Sequence, residues 1–103
     1  MKIDKDYQMT VFMRDQTING ESEDIPHRGG LVQIAVYGVF DGAIATLEVS
    51  HGESGFLTLD EPSAIFNETK SNVSIFQMVS GATYRLIITN AGGSTNLSAS
   101  ALS

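Results

Sequence analysis

GATYRLIITNAGGSTNLSASAL, residues 81–102, reads as a strand, a glycine-bearing turn and a second strand, and this reading decides the fold class. Tyr84, Leu86 and Ile88 alternate with Arg85, Ile87 and Thr89, the period of two expected of a strand with one face buried. Asn90-Ala91-Gly92-Gly93 then supplies residue types that tolerate positive φ, so the segment is expected to close the chain as a hairpin. Tyr84, Leu86 and Ile88 are the structural residues of that unit.

Outward from this hairpin, Asn72 to Val79 is another strand, whose apolar set passes from Val73 and Ile75 to Phe76 and Met78. That change of face predicts a bulge. Phe56 to Leu59 makes a short strand, and Ser63 to Phe66 fits an edge strand or a single helical turn equally well. Leu31 to Phe40 is the most hydrophobic strand, with Val32, Ile34 and Val36 on one face and Gln33, Ala35 and Tyr37 on the other. Asp41-Gly42 is a two-residue hairpin signal that Ala43 to Ser50 answers, so these two strands are expected to pair antiparallel. Near the start, Tyr7, Met9, Val11 and Met13 alternate with Gln8, Thr10 and Phe12. Seven to eight short strands without a helix predict an all-β protein. Its natural closure is a two-sheet antiparallel β-sandwich, immunoglobulin-like or jelly-roll in strand order.

The 103 residues suit one domain with one core, and a hydrophobic share of 42% is enough to fill it. Within it, residues 1–30 read as an amino-terminal strand followed by an extended arm, and residues 31–103 as the sandwich body. The arm is the polar stretch DQTINGESEDIPHRGG, long for a connection in a compact domain. Cysteine is absent, which removes disulfides, thiolate metal sites and a cysteine nucleophile. MKIDKDYQMTVFMRD lacks the apolar core of a signal peptide, and no run approaches the ~20 apolar residues of a membrane span, so no membrane is expected. Twelve acidic residues oppose six basic ones scattered singly, for a net charge of −6. No nucleic-acid partner is expected, because phosphate binding needs a concentrated basic face.

Catalytic chemistry finds no foothold. Glu48, Glu53, Asp60 and Glu61 fall in turns or on the polar face of a strand, where a carboxylate is ordinarily solvated. A histidine metal site would need both His27 and His51 with Glu53 or Asp24, yet the two histidines lie in separate loops. Glu21-Ser22-Glu23-Asp24 lacks the alternating spacing of a calcium loop. No catalytic residue, metal or cofactor is expected, and the protein reads as a non-enzyme. Residues placed to contact other proteins are more informative. If Leu86 and Ile88 face inward, Ile87 faces outward; by the same parity Tyr37, Ile44 and Phe12 lie outside, and Tyr7 and Met9 belong to the amino-terminal segment.

Two resemblances follow from the residues. VSIFQMVSGATYRL from Val73, with Thr89-Asn90-Ala91-Gly92-Gly93-Ser94, resembles the last three strands of immunoglobulin-like sandwiches. That likeness implies that Tyr84 is the tyrosine of the corner and that Leu86 stands where antibody domains carry their second cysteine; the cysteines and core tryptophan are missing. Three pieces, Gly38 to Ser50, His51 to Phe56 and Gly81 to Leu86, resemble small β-sandwich structural proteins of tailed bacteriophage virions. The likeness covers about residues 31 to 102, with Phe56 where many relatives have tryptophan. It implies a virion part made in the host cytoplasm: a homotrimeric capsid decoration or cement subunit bound to the major capsid protein. The alternative is a fibre or adhesion module that holds a receptor or glycan on loops such as His51 to Gly55.

Overall fold

The computed structural model describes residues 9–26, 29–59, 64–68 and 73–102. Its strands are β1 (Met9–Gln16), β2 (Gly20–Glu21), β3 (Ile25–Pro26), β4 (Gly30–Val39), β5 (Ile44–Ser50), β6 (Phe56–Thr58), β7 (Ile65–Phe66), β8 (Val73–Met78), β9 (Thr83–Thr89) and β10 (Asn96–Leu102). The first sheet runs β1-β10-β4-β8. The second runs β2-β9-β5-β6, with β3 also on β9 and β7 also on β5. All pairs are antiparallel. Ten strand segments replace the seven to eight expected. The difference is that two edge lanes are each broken into two-residue or three-residue pieces, β2 with β3 and β6 with β7.

The pairing is nested. β1 meets β10, β2 and β3 meet β9, β4 meets β8, and β5 meets β6 and β7, as though one long hairpin had been laid down first. Winding that hairpin up adds the contacts of β10 with β4 and β9 with β5 and sends successive lanes to opposite sheets, except where β5 turns back into β6 and β7 at the hairpin's end. This is the jelly-roll order. An immunoglobulin-like order would put the last two strands side by side in one sheet, whereas β9 and β10 lie in different sheets.

Both expected hairpins are therefore corners between sheets. At Asp41-Gly42 the turn itself forms, with positive φ at both residues and the Ala43 N–H donating to the Phe40 carbonyl at 2.9 Å. Its strands then separate, because β5 pairs with β9 over seven residues and β4 is held between β10 and β8. In the Asn90 to Gly93 turn only Asn90 takes positive φ. Gly92 is required for a different reason: a Cβ there would collide with the carboxylate and carbonyl of Asp41.

The two corners clasp each other. Ser94 N–H donates to Asp41 Oδ2 at 2.8 Å, Asn90 Nδ2 donates to the Gly42 carbonyl at 3.0 Å, and the buried Thr95 hydroxyl donates to the Phe40 carbonyl at 2.7 Å. Ala91 N–H donates to Asn19 Oδ1 at 2.8 Å, which joins the turn after β1 to the same end of the sandwich.

Between the sheets lie Val32, Ile34 and Val36 of β4, Ala45 and Leu47 of β5, Leu86 and Ile88 of β9, and Leu97 and Ala99 of β10, all buried. Tyr84 is buried with its hydroxyl accepting the Val79 N–H at 2.9 Å, the tyrosine-corner geometry expected of it. β8 carries no bulge: Gly30 to Ala35 and Val73 to Met78 pair without a break. The strand is simply apolar on both faces, Phe76 and Met78 inward, Val73 and Ile75 outward. The irregularities fall on β1, where register shifts between Val11 and Met13 and between Met13 and Gln16 turn both Phe12 and Met13 into the core.

Candidate functional site: the charge-free face of the first sheet

None of the residues of β4, β8 and β10 is charged, on either face. Inward this fills the core; outward it leaves a surface with unusual composition for a chain of net charge −6. The register lays it out in rows. Met9 pairs with Leu102, Leu102 with Gln33, and Gln33 with Ile75, so one row crosses all four strands. The next carries Val11, Ser100, Ala35 and Val73, and flanking it are Leu31 beside Gln77, Tyr37 beside Ser98, and Val39 beside Asn96. Leu31 is 66% exposed, Ile75 62% and Tyr37 50%. Side chains of this size normally lose water contact on folding; here they are presented to it.

The outer face of the second sheet is built on the opposite plan. Glu48 and Arg85 are directly opposite on β5 and β9, and Arg85 Nε donates to Glu48 Oε1 at 2.8 Å. Glu21 of β2 lies 3.9 Å from the same guanidinium, and the Phe56 ring sits 4.0 Å beneath it. Stacking and ion pairing satisfy one another across four strands.

The sequence-derived contact residues do not share a surface. Tyr37 belongs to the charge-free face and Met9 to β1 at its edge, beside Leu102; Ile44 and Ile87 are half-buried on the second sheet; Tyr7 lies outside the described residues. Phe12 is a correction. At 2% exposure it is core, because the shifted register of β1 reverses its parity. The stretch after β1, expected as an extended arm, supplies β2 and β3 to the second sheet, and Ser22 exchanges bonds with β9, its N–H donating to the Leu86 carbonyl and its hydroxyl accepting the Leu86 N–H. Sequence reasoning missed Leu31, Val39, Val73, Ile75 and Leu102. The available signal was β8 itself, whose second apolar face had an alternative explanation as a bulge.

Polar candidates for chemistry are dispersed. Among the described residues no three of His, Asp and Glu gather as a metal could require. Glu48 is engaged by Arg85, Asp41 accepts from Ser94, and Glu68 accepts the Gly42 N–H at 3.1 Å. His27, Asp60 and Glu61 lie outside the described residues. The His51 to Gly55 loop binds itself, His51 N–H donating to Ser54 Oγ at 3.1 Å, while Phe56 is held by Arg85. Among the described residues no helix is long and apolar enough to cross a membrane. Comparison with protein-family models, curated proteins and solved structures finds no match for this chain.

Proposed function

We propose that this protein is a non-enzymatic structural subunit of a tailed-phage virion, a capsid decoration or cement protein that acts by binding other proteins on the capsid surface. The observation that carries the reading is the outer face of β4, β8 and β10, where exposed apolar side chains stand among neutral polar ones without a single charge. A surface of that kind serves burial against another protein, since it carries no ionised group and the exposure of its apolar side chains to water is unfavourable. Support also comes from the likeness of Gly38 to Ser50, His51 to Phe56 and Gly81 to Leu86 to virion sandwich proteins, and from an architecture shared with viral shell domains. The fold stiffens that face: its three strands pair in regular register, β10 with β4 over seven residues and β4 with β8 over six. Neighbouring subunits bury the sheet while the amino-terminal residues reach the shell.

The test is co-sedimentation of the purified protein with tailed-phage shells whose decoration sites are vacant. Deleting residues 1–8 is expected to abolish sedimentation with shells and leave the fold intact. The deletion stops before Met9 because Phe12 and Met13 are core. Failure of the full chain to bind, or undiminished binding of the shortened one, counts against the reading.

A further inference from the structure

We infer that the occupant of the charge-free face is a second copy of this chain, docked sheet against sheet about a two-fold axis. This rests on the reading of that face as a protein contact and names its partner. A two-fold interface sets a surface against itself, so any charge near the axis meets the same charge on the other copy. Few surfaces of a chain with twelve acidic and six basic residues escape that penalty. The outer face of β4, β8 and β10 does, because it has no charge to duplicate.

The second sheet fails the same criterion. Self-pairing there would confront Glu21 and Glu48 with their own copies and strip water from the Arg85 cluster, whose partners already lie within its own chain. Elsewhere the net charge of −6 on each copy resists approach.

Size agrees. Three strands about 4.8 Å apart, with six to ten residues of about 3.3 Å each, give a charge-free face of roughly 14 by 20–33 Å, the exposed Arg14 and Asp15 of β1 lying beyond its edge. Two such faces in contact remove on the order of 1,000 Å² from water, the lower limit for a specific interface and the size of a weak, reversible one. Gln33, Gln77, Asn96, Ser98 and Ser100 are interspersed among the apolar side chains and offer neutral donors and acceptors, so hydrogen bonds can form across the seam without ionic repulsion.

Sedimentation velocity from about 1 to 100 µM tests this on the full chain. The wild type is expected to pass from monomer to dimer. Ile75→Lys and, independently, Leu31→Lys are each expected to weaken the dimer about 100-fold or more, since each substitution is present twice and brings charge to the seam. Thr89→Lys, exposed at the end of the second sheet, is expected to leave association within about threefold. A monomer at every concentration, a trimer, or a dimer that survives both substitutions overturns the inference. Shell binding measured on the same proteins separates it from the decoration reading. A monomeric wild type that binds shells and loses binding with Ile75→Lys overturns self-pairing alone, whereas a dimer that ignores shells supports self-pairing and overturns decoration.

Discussion

Arg85 and Ile75 occupy equivalent places, each pointing outward from the face of a sheet, and their surroundings differ completely. Arg85 has Glu48 at 2.8 Å, Glu21 at 3.9 Å and the Phe56 ring at 4.0 Å; Ile75 has Gln33 across the pair and stands 62% exposed. One face of the sandwich is complete within the chain, and the other is left apolar. The contrast shows where a small domain keeps its binding surface: on the sheet whose exterior its own side chains do not finish.

Both faces rest on a common core, and the largest expected effect tests that premise. Leu86→Ala empties a fully buried site between the sheets and is expected to cost about 2–5 kcal/mol in urea unfolding, in one transition that removes both faces together. Two separate transitions would break the comparison at its root.

The corners decide which sheet each strand joins. Gly92→Ala forces a methyl group onto Asp41 and disturbs the clasp, with an expected loss of about 1–3 kcal/mol by the same measurement. Arg85→Ala tests the self-contained face and is expected to lower stability by about 1–2 kcal/mol, from the stacking on Phe56 and the half-buried Glu48 left without its partner. Self-association should be unaffected. If association falls with Arg85→Ala, the two faces are not separate in function.

Ile75→Ser sharpens the contrast from the other side. Unfolding free energy is expected to change by less than about 0.5 kcal/mol, because the side chain contributes little to the core, while association weakens measurably. A large loss of stability would mean that Ile75 is finished by its own chain after all.

Much of the sandwich was legible in the sequence. The alternations in Val32 to Val36, Ala43 to Leu47 and Tyr84 to Ile88 identified buried faces that the structure reproduces, and the corner role of Tyr84, whose hydroxyl accepts the Val79 N–H, was implied by the likeness to immunoglobulin-like sandwiches. Pairing was not. Asp41-Gly42 and Asn90 to Gly93 carry authentic turn chemistry, and a local turn satisfies that chemistry whether its flanking strands pair or part. β5 chooses β9, and β10 chooses β1 and β4, through bonds between residues far apart in the chain. Phe12 failed for a related reason, since a shifted register reverses side-chain parity without a mark in the local pattern.

By itself, then, the sequence determined an all-β chain, the inward side chains of its regular strands, and the absence of charge along three strands, because period, turn preference and composition are local properties. Only the tertiary structure decided that those three strands are neighbours in one sheet. Leu31, Ile75 and Leu102 are scattered along the chain and become a single surface through long-range backbone pairing, and it is that pairing which turns isolated apolar residues into a place where another protein can bind.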